Sequence, residues 1–211
     1  MYVGRIVAVG MNTKGKLAAM YRVSSRSFPN RKGVIREKTA SIVPKEGFEG
    51  DIHKNPYIAY NCLKIVGGVA VATNGSHTDP IAEKIASGMS IRDAMILSMM
   101  ALDYEKDNYN TPRIASAVDL KSRAGWLGIV RHNGLNVRQV PLEPGNAFYV
   151  ATYEKNDVLV SQNETFSAET AAAACGYILH FGIFGQMENP VSAVCACETV
   201  GDFEIAMEPK S

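Results

Sequence analysis

Alternating apolar and polar residues predict pairs of β-strands along most of the chain. Two such runs, at 1–10 and 15–24, are separated by turn-forming residues and predict an opening hairpin. A second pair, at 56–66 and 69–75, flanks a Gly-Gly turn signal in the same way. The remaining strand-like runs lie at 113–120, 124–134, 135–142, 146–154, 191–200 and 202–209. The His-Asn-Gly turn signal at 132–134 predicts a hairpin of the second and third of these runs. Strand pairs joined by short turns are typical of antiparallel sheets.

Three segments carry the start signals of α-helices. Asp79 is the expected N-cap of the first, with Pro80 at the first helical position. Ser90 is the expected N-cap of the second, where Asp93 completes a capping box, and Ser167 is that of the third. Because the helices fall in two blocks between runs of strands, we expect an α+β fold of two stacked antiparallel sheets flanked by helices. We find no linker or internal repeat, which predicts one domain over residues 1–211.

The composition is ordinary for a soluble globular protein and excludes some classes of partner. The chain has 211 residues, is 46% hydrophobic and 20% charged, and has a net charge of +1. So small a net charge predicts no extended surface for nucleic acid or for an anionic membrane, and any anion site must be local. No apolar run is long enough to span a membrane, and the N-terminus lacks a signal-peptide pattern. We therefore expect a cytoplasmic protein.

The four cysteines, Cys62, Cys175, Cys195 and Cys197, do not form a disulfide framework at this chain length. In an intracellular protein, reduced thiols are the default. Cys195 and Cys197 would lie on one face of a strand, but without a nearby histidine this pair is a weak zinc signal. We expect buried, unreactive thiols and no metal site.

The segment 21–31, YRVSSRSFPNR, concentrates hydrogen-bond donors without any acidic residue. Arginine can bind phosphate or carboxylate with two hydrogen bonds, and serine hydroxyls can complete such a site. The candidates are Arg22, Ser24, Ser25, Arg26 and Arg31. The alternative is a solvated basic loop, and the other polar segments decide between the two.

Two further segments carry more polar groups than strands and turns require. In 55–62, NPYIAYNC, Tyr60 can donate or shuttle a proton, although a strand tyrosine more often only packs. In 73–80, TNGSHTDP, the side chains of Asn74 and Ser76 precede a helix and can contact an anion or a base edge. A capped strand-to-helix turn explains part of this second pattern, but not the crowding of Asn, Ser, His and Thr.

The segment 103–115, DYEKDNYNTPRIA, combines acid, amide and guanidinium groups in one short stretch. Asn110 and Arg113 suit recognition of a ribose or of a heteroaromatic amide. Glu105 can act as a general base if it is partly buried. A solvated charged loop is the alternative.

Several familiar motifs are missing, among them the P-loop, the Rossmann glycine pattern, H-E-x-x-H and G-x-S-x-G. From the residues alone we therefore infer a local anion pocket built from several loops. A small phosphorylated metabolite fits such a pocket better than a nucleic acid does.

Taken together, the four polar segments resemble the archaeal-type inosine monophosphate (IMP) cyclohydrolase family, and the resemblance extends over essentially the whole chain. The resemblance implies a four-layer αββα sandwich like that of the N-terminal-nucleophile hydrolases. Those enzymes use an N-terminal Cys, Ser or Thr as the nucleophile, whereas this sequence begins Met1-Tyr2. The fold would thus be kept without the acyl-enzyme chemistry.

The implied reaction is the last step of purine biosynthesis, the dehydrative closure of 5-formamidoimidazole-4-carboxamide ribotide to IMP. Because the nucleophile and the electrophile belong to one molecule, the resemblance implies neither metal nor redox cofactor. It also implies a small-molecule substrate, and we expect a homo-oligomer.

The resemblance suggests a role for each candidate residue. Tyr60 would donate to the formyl oxygen and Glu105 would relay the proton of the attacking nitrogen. Arg22 is the third catalytic candidate. Together with Arg26, Ser24, Ser25 and Arg31 it would bind the 5′-phosphate or the carboxamide. The groups expected to orient base and ribose are Asn74, Ser76, Asn110 and Arg113.

Two other functions stay open at this point. One is an amidohydrolase of the N-terminal-nucleophile type, matured by cleavage before a Ser or Thr. The other is a non-catalytic nucleotide-binding or RNA-binding module that uses the arginine-rich segment, although the net charge disfavours RNA.

Overall fold

The structure is a computed structural model that describes residues 1–209. Within this range the strands are β1 (Ile6–Met11), β2 (Leu17–Ser24), β3 (Arg31–Arg36), β4 (Thr39–Pro44), β5 (Tyr60–Val66), β6 (Val69–Thr73), β7 (Arg113–Asp119), β8 (Gly125–Arg131), β9 (Gly134–Val140), β10 (Asn146–Ala151), β11 (Asn163–Thr165), β12 (Pro190–Glu198) and β13 (Phe203–Glu208). The helices are α1 (Asp51–Lys54), α2 (Thr78–Ala86), α3 (Ile91–Leu102) and α4 (Ala171–His180).

The strands pair antiparallel in two sheets. One sheet has six strands in the order β11-β10-β1-β2-β12-β13, and the other has seven in the order β3-β4-β5-β6-β7-β8-β9. The predicted opening hairpin is confirmed by the pairing of β1 with β2, in which Met11 faces Leu17. The predicted hairpins of β5 with β6 and of β8 with β9 are confirmed as well. The expected α+β class with two antiparallel sheets is therefore correct.

The two sheets stack face to face, and helices cover their outer sides. Val7 and Val9 of β1 lie in the core between the sheets, whereas Ile6 and Ala8 pack beneath α4. On the other side of the molecule, α2 and α3 pack on the seven-stranded sheet. The layers confirm the expected αββα order. Because successive side chains of a strand point to opposite faces, a strand covered on both faces is apolar throughout, as β1 is.

The helix starts agree only in part with the sequence signals. Ser90 caps α3 as predicted, because its hydroxyl accepts a hydrogen bond from the backbone N–H of Asp93. Asp79 was wrongly predicted to be a cap: it lies in the first turn of α2, where its carboxylate accepts from Asn61 and Lys64. Thr170, rather than Ser167, caps α4.

Three strands were not predicted from the sequence: the three-residue β11 at the edge of the six-stranded sheet, and β3 and β4. The last two form the edge of the seven-stranded sheet, where β3 pairs with β4 alone. Edge strands are partly solvated and tolerate charged residues. Their alternation is therefore weak in β3, which contains three basic residues in six positions.

The prediction of buried, reduced thiols is confirmed, since all four cysteines are buried and free. Cys195 and Cys197 face the core beneath α4, where Cys175 also lies. Burial raises the pKa of the Cys197 thiol to about 12, which makes the reactive thiolate rare. Over residues 1–209, no helix has the length and apolarity needed to cross a membrane.

Candidate active site

Three of the polar segments meet around one cleft. Its volume is about 280 Å³. Its walls come from the arginine-rich segment, from the turn before β5, from the loop after α3 and from the end of β10. The lining residues are Ser25, Ser27, Phe28, Lys54, Asn55, Pro56, Tyr57, Asp107, Asn108, Tyr109 and Tyr153. The fold therefore brings together segments that are far apart in the sequence.

A buried group of charged residues centred on Glu105 adjoins this cleft. The Glu105 side chain is 1% exposed, and its Oε2 lies 3.0 Å from Arg5 Nη2. Its Oε1 lies 3.9 Å from Arg113 Nη1. The guanidinium of Arg113 in turn lies 5.7 Å from the ring centre of Tyr57, which lines the cleft. Glu105 is thus held between two cations and close to the cleft.

The surroundings of Glu105 adjust its proton affinity. Burial raises the pKa of the Glu105 carboxyl, and the nearby charges of Arg5 and Arg113 oppose this effect without cancelling it. Burial alone would lower the pKa of Arg5, but Glu105 and the neighbouring phenols raise it, so Arg5 stays charged. A carboxylate with a raised pKa accepts a proton more readily than a solvated one, as a general base requires.

Tyr60 is paired with a second tyrosine across the two sheets. Its hydroxyl oxygen lies 2.5 Å from that of Tyr21. Burial raises the pKa of Tyr60, while the positive charges of Arg31 and Arg5 work in the opposite direction. Burial also raises the pKa of Tyr21 well above its ordinary value. Both phenols therefore stay protonated at neutral pH, and Tyr60 can act as a hydrogen-bond donor.

Five buried polar atoms around Glu105 have no hydrogen-bond partner among the residues that the structure describes. They are Arg5 Nε, His77 Nδ1, Glu105 Oε1, Arg113 Nε and Arg113 Nη1. A buried polar group without a partner costs about 1–3 kcal/mol. Folded proteins leave few such groups, and clusters of them are characteristic of functional sites. This cluster marks the centre of the candidate site.

Arg22 lies away from this centre, although it was expected to be catalytic. The residue is fully buried, and its guanidinium donates to the carbonyl oxygens of Ile178, Phe184 and Met187 at 3.1, 2.6 and 2.8 Å. Its Nε donates to the hydroxyl of Ser24. These bonds hold the end of α4 on the outer face of the six-stranded sheet. The structure thus commits Arg22 and Ser24 to the fold and does not bring them to Glu105.

The other candidates of the arginine-rich segment lie at this cleft, at an adjoining cleft lined by Arg26, or near Tyr60. Arg26 is exposed, pairs with Glu188 at 3.0 Å and lies 4.1 Å over the ring of Tyr2. Ser25 lines the cleft, and its hydroxyl accepts from the backbone N–H of Phe28. Arg31 is buried, and its charge reaches Tyr60.

Of the four residues expected to orient base and ribose, Arg113 alone belongs to the buried group around Glu105. The side chain of Asn74 donates to Pro112 O and accepts from Ile114 N, and so ties the loop after β6 to β7. Ser76 is exposed on the loop before α2. Asn110 lines an adjoining cleft of about 370 Å³.

Several residues of the site were missed by the sequence analysis, namely Arg5, Tyr21, Lys54, Tyr57 and Tyr153. Arg5 had one usable signal, because it is the sole charged residue of the apolar run 1–10. Tyr21 and Tyr57 lie within segments already singled out. Lys54 and Tyr153 had no distinctive pattern around them.

His77 gives a testable link between this site and stability. It is fully buried, and burial together with Arg113 lowers its pKa to about 3. The unfolded chain, in which a histidine has an ordinary pKa near 6.5, binds one more proton than the folded chain between these values. Stability should therefore fall as the pH drops through this window, by about 1.4 kcal/mol per unit from His77.

Urea unfolding at a series of pH values measures this dependence. We expect H77N to lose that part of the slope. An equal slope in H77N and the parent chain would assign the titration to other groups.

The layered α+β fold, with a cluster of unpaired buried polar groups beside an open cleft, is typical of an enzyme. Comparison with known proteins identifies the family. The family model described as "IMP cyclohydrolase-like protein" matches residues 2–202. The chain belongs to this family. It is 47% identical to the IMP cyclohydrolase of Methanosphaera stadtmanae, over 97% of this chain and 98% of that protein.

Other relatives cover the chain equally well. The IMP cyclohydrolase of Methanocella arvoryzae is 46% identical over 98% of each chain. That of Methanocaldococcus jannaschii is 39% identical over the full length of both. The family resemblance stated from the sequence motifs is therefore confirmed.

Proposed function

We propose that this chain is an IMP cyclohydrolase, which closes 5-formamidoimidazole-4-carboxamide ribotide to IMP with release of water. Its membership of the family and the names of its relatives support this activity. The structural observation that carries the proposal is that a buried carboxylate, Glu105, and a protonated phenol, Tyr60, both lie near the guanidinium of Arg5. One group can accept a proton while the other donates one.

The reaction needs proton transfers and orientation. The carboxamide nitrogen attacks the formyl carbon, a C–N bond forms, the nitrogen loses a proton and the formyl oxygen gains one. The resulting carbinolamine then loses its hydroxyl group and a ring proton as water, and the purine ring is complete. Because both reacting groups belong to one substrate, holding them in the cyclising rotamer supplies much of the acceleration.

The proposed roles follow from the positions of the groups. Glu105 accepts the proton of the attacking nitrogen, and Tyr60 donates to the formyl oxygen and then to the departing hydroxide. Arg31 and Arg5 place positive charge near Tyr60, where negative charge develops. Arg113 orients the base edge beside Glu105.

The remaining candidates bind or support the rest of the substrate. Ser25 and Arg26 bind the 5′-phosphate at the mouth of the cleft, and Asn110 contacts the ribose from the adjoining cleft. Asn74 supports the site indirectly, because it holds the start of β7, the strand that carries Arg113. Ser76 is exposed on the loop before α2. Arg22 is not part of the proposed site.

Arg26→Ala should raise KM about tenfold or more and change kcat little, because a phosphate at the mouth is bound equally in the ground and transition states. Steady-state kinetics measures both constants. Arg36→Ala is the matched control, since it removes an exposed arginine at the opposite end of β3 from Arg31. An unchanged KM in the Arg26 variant would remove this residue from the phosphate site.

We further propose a single functional domain over residues 1–211, a cytoplasmic location and a homo-oligomer. The core shared by the two sheets supports one domain, although residues 210–211 lie outside the described range. Four reduced, buried thiols fit a reducing compartment. The exposed apolar side chains of Leu97, Met100 and Leu102 on α3 fit a contact between subunits.

An absorbance assay with the formylated carboxamide ribotide, without added folate or metal, tests the activity. We expect IMP to form in proportion to the enzyme. Absence of turnover would overturn the proposed function. An intact mass lacking the N-terminal residues would favour the amidohydrolase, and strong salt-sensitive binding of RNA would favour a binding module.

A further inference from the structure

Two residues beside Glu105, His77 and Gly75, have no role in the reaction as described so far. We propose that His77 is a positioning residue for this reaction: its unprotonated Nδ1 accepts a hydrogen bond from the guanidinium of Arg113 and holds that group beside Glu105. This inference rests on the proposed cyclohydrolase function.

The hydrogen bond of the ring determines which nitrogen of His77 carries the proton. Nε2 lies 2.9 Å from the carbonyl oxygen of Ile114. A carbonyl oxygen only accepts, so Nε2 must donate. Burial and the charge of Arg113 keep the ring neutral, with a pKa of about 3. The lone pair of Nδ1 therefore remains free to accept a hydrogen bond.

The absence of a side chain at Gly75 lets His77 Nδ1, Arg113 and Glu105 come close together. A β-carbon on Gly75 would lie 2.5 Å from Arg113 Nη1, 3.4 Å from His77 Nδ1 and 3.6 Å from Glu105 Oε1. Three side chains thus converge on one glycine. Because glycine has no β-carbon, the guanidinium of Arg113 can approach the backbone here, and any other residue would push it away.

The hydrogen-bonding capacities of these groups are complementary. Two nitrogens of Arg113, Nε and Nη1, lack an acceptor among the described residues, and the two unpaired acceptors beside them are His77 Nδ1 and Glu105 Oε1. The separation of 3.9 Å between Arg113 Nη1 and Glu105 Oε1 exceeds a hydrogen bond. A small rotation of the guanidinium can bring it to both acceptors.

The carbonyl group that binds the His77 ring belongs to the same strand as Arg113. Ile114, which binds Nε2, directly follows Arg113 in β7. The imidazole is therefore fixed relative to the strand that carries the guanidinium. The charges of Arg5 and, to a smaller extent, of Arg113 oppose the rise in the pKa of Glu105 that burial causes. The position of Arg113 therefore contributes to how readily Glu105 exchanges its proton.

Two substitutions separate this role from simple support of the fold. In H77N, the side-chain oxygen can take the place of Nδ1 and accept from Arg113, while the donor to Ile114 is lost. In H77Q, the side-chain nitrogen can still donate to Ile114, while the acceptor at Nδ1 is lost. We expect kcat of H77Q to fall about tenfold or more, because Arg113 is displaced. The kcat of H77N should stay well above that of H77Q.

The pH profile gives the second readout. In H77Q the acid limb of kcat should move to higher pH, because Glu105 loses part of the stabilisation that Arg113 gives its charged form. G75A, in which the new methyl group displaces Arg113 directly, should show the same shift. The reverse order, with H77Q active and H77N impaired, would overturn the proposal, since it would show that the bond to Ile114 alone matters.

A measurement that does not depend on turnover tests this inference separately from the proposed function. The carboxyl band of Glu105 in infrared difference spectra, assigned by its loss in E105Q, reports the pKa of this group directly. We expect that pKa to be higher in H77Q than in the parent chain. If the parent chain shows no turnover, the proposed function fails, and an unchanged Glu105 pKa in H77Q would independently overturn the role of His77.

Discussion

Replacing Tyr60 with phenylalanine should lower kcat about 100-fold or more while the substrate still binds. The change removes one oriented donor from the place where the formyl oxygen acquires negative charge, and the loss of such a donor typically costs this much. The ring itself remains, so its contact with Tyr21 should persist. Steady-state kinetics and a direct binding titration with the ribotide together measure the two effects.

The matched control is Tyr177→Phe. The Tyr177 hydroxyl also makes a hydrogen bond, to Thr165 O, but it belongs to α4 on the outer face of the six-stranded sheet. We expect normal turnover in this variant. Near-normal turnover in Tyr60→Phe as well would remove Tyr60 from the mechanism.

Glu105→Gln should lower kcat by about 100-fold to 10,000-fold, the range attributed to general acid–base catalysis. The amide keeps the size of the side chain but cannot accept the proton of the attacking nitrogen. In the parent chain, activity should fall as the pH drops through the pKa of Glu105, which lies above the ordinary value of a glutamate. The variant should lack this acid limb.

The pH dependence of kcat in the two proteins tests this assignment. Glu169→Gln is the control, because that carboxylate is exposed and pairs with Lys14 away from the cleft. An acid limb that persists in Glu105→Gln at the same pH would identify another group as the base.

Much of the fold follows from local patterns. The hairpin of β1 and β2 and the turn at Gly67 and Gly68 were predicted correctly, because tight turns join neighbouring strands and need few specific residues. The strand β3 was missed, since an edge strand alternates weakly. The start of α2 was misplaced, because an aspartate before a proline has the same pattern in a cap and in a first turn.

The sequence predicted which segments form the candidate site better than it predicted which residues of those segments belong to it. Glu105, Tyr60 and Arg113 lie in polar segments that stand out in the sequence. In the structure Glu105 and Arg113 belong to one buried group beside the cleft, and Tyr60 lies near Arg5 of that group. Arg22 has the same sequence signal as Arg26, but its neighbours in space are the carbonyl groups at the end of α4. No local pattern distinguishes an arginine that binds carbonyls from one that faces a cleft.

The sequence by itself determined the class of fold, the four polar segments and the family. These depend on periodicity, turn residues and local motifs, all of which are encoded by neighbouring residues. The tertiary structure alone decided that Arg5 approaches Glu105, 100 positions away, and that Tyr21 meets Tyr60 across the two sheets. Such contacts depend on strand register and sheet stacking, and the burial that shifts the pKa of Glu105 arises only when those layers close around it.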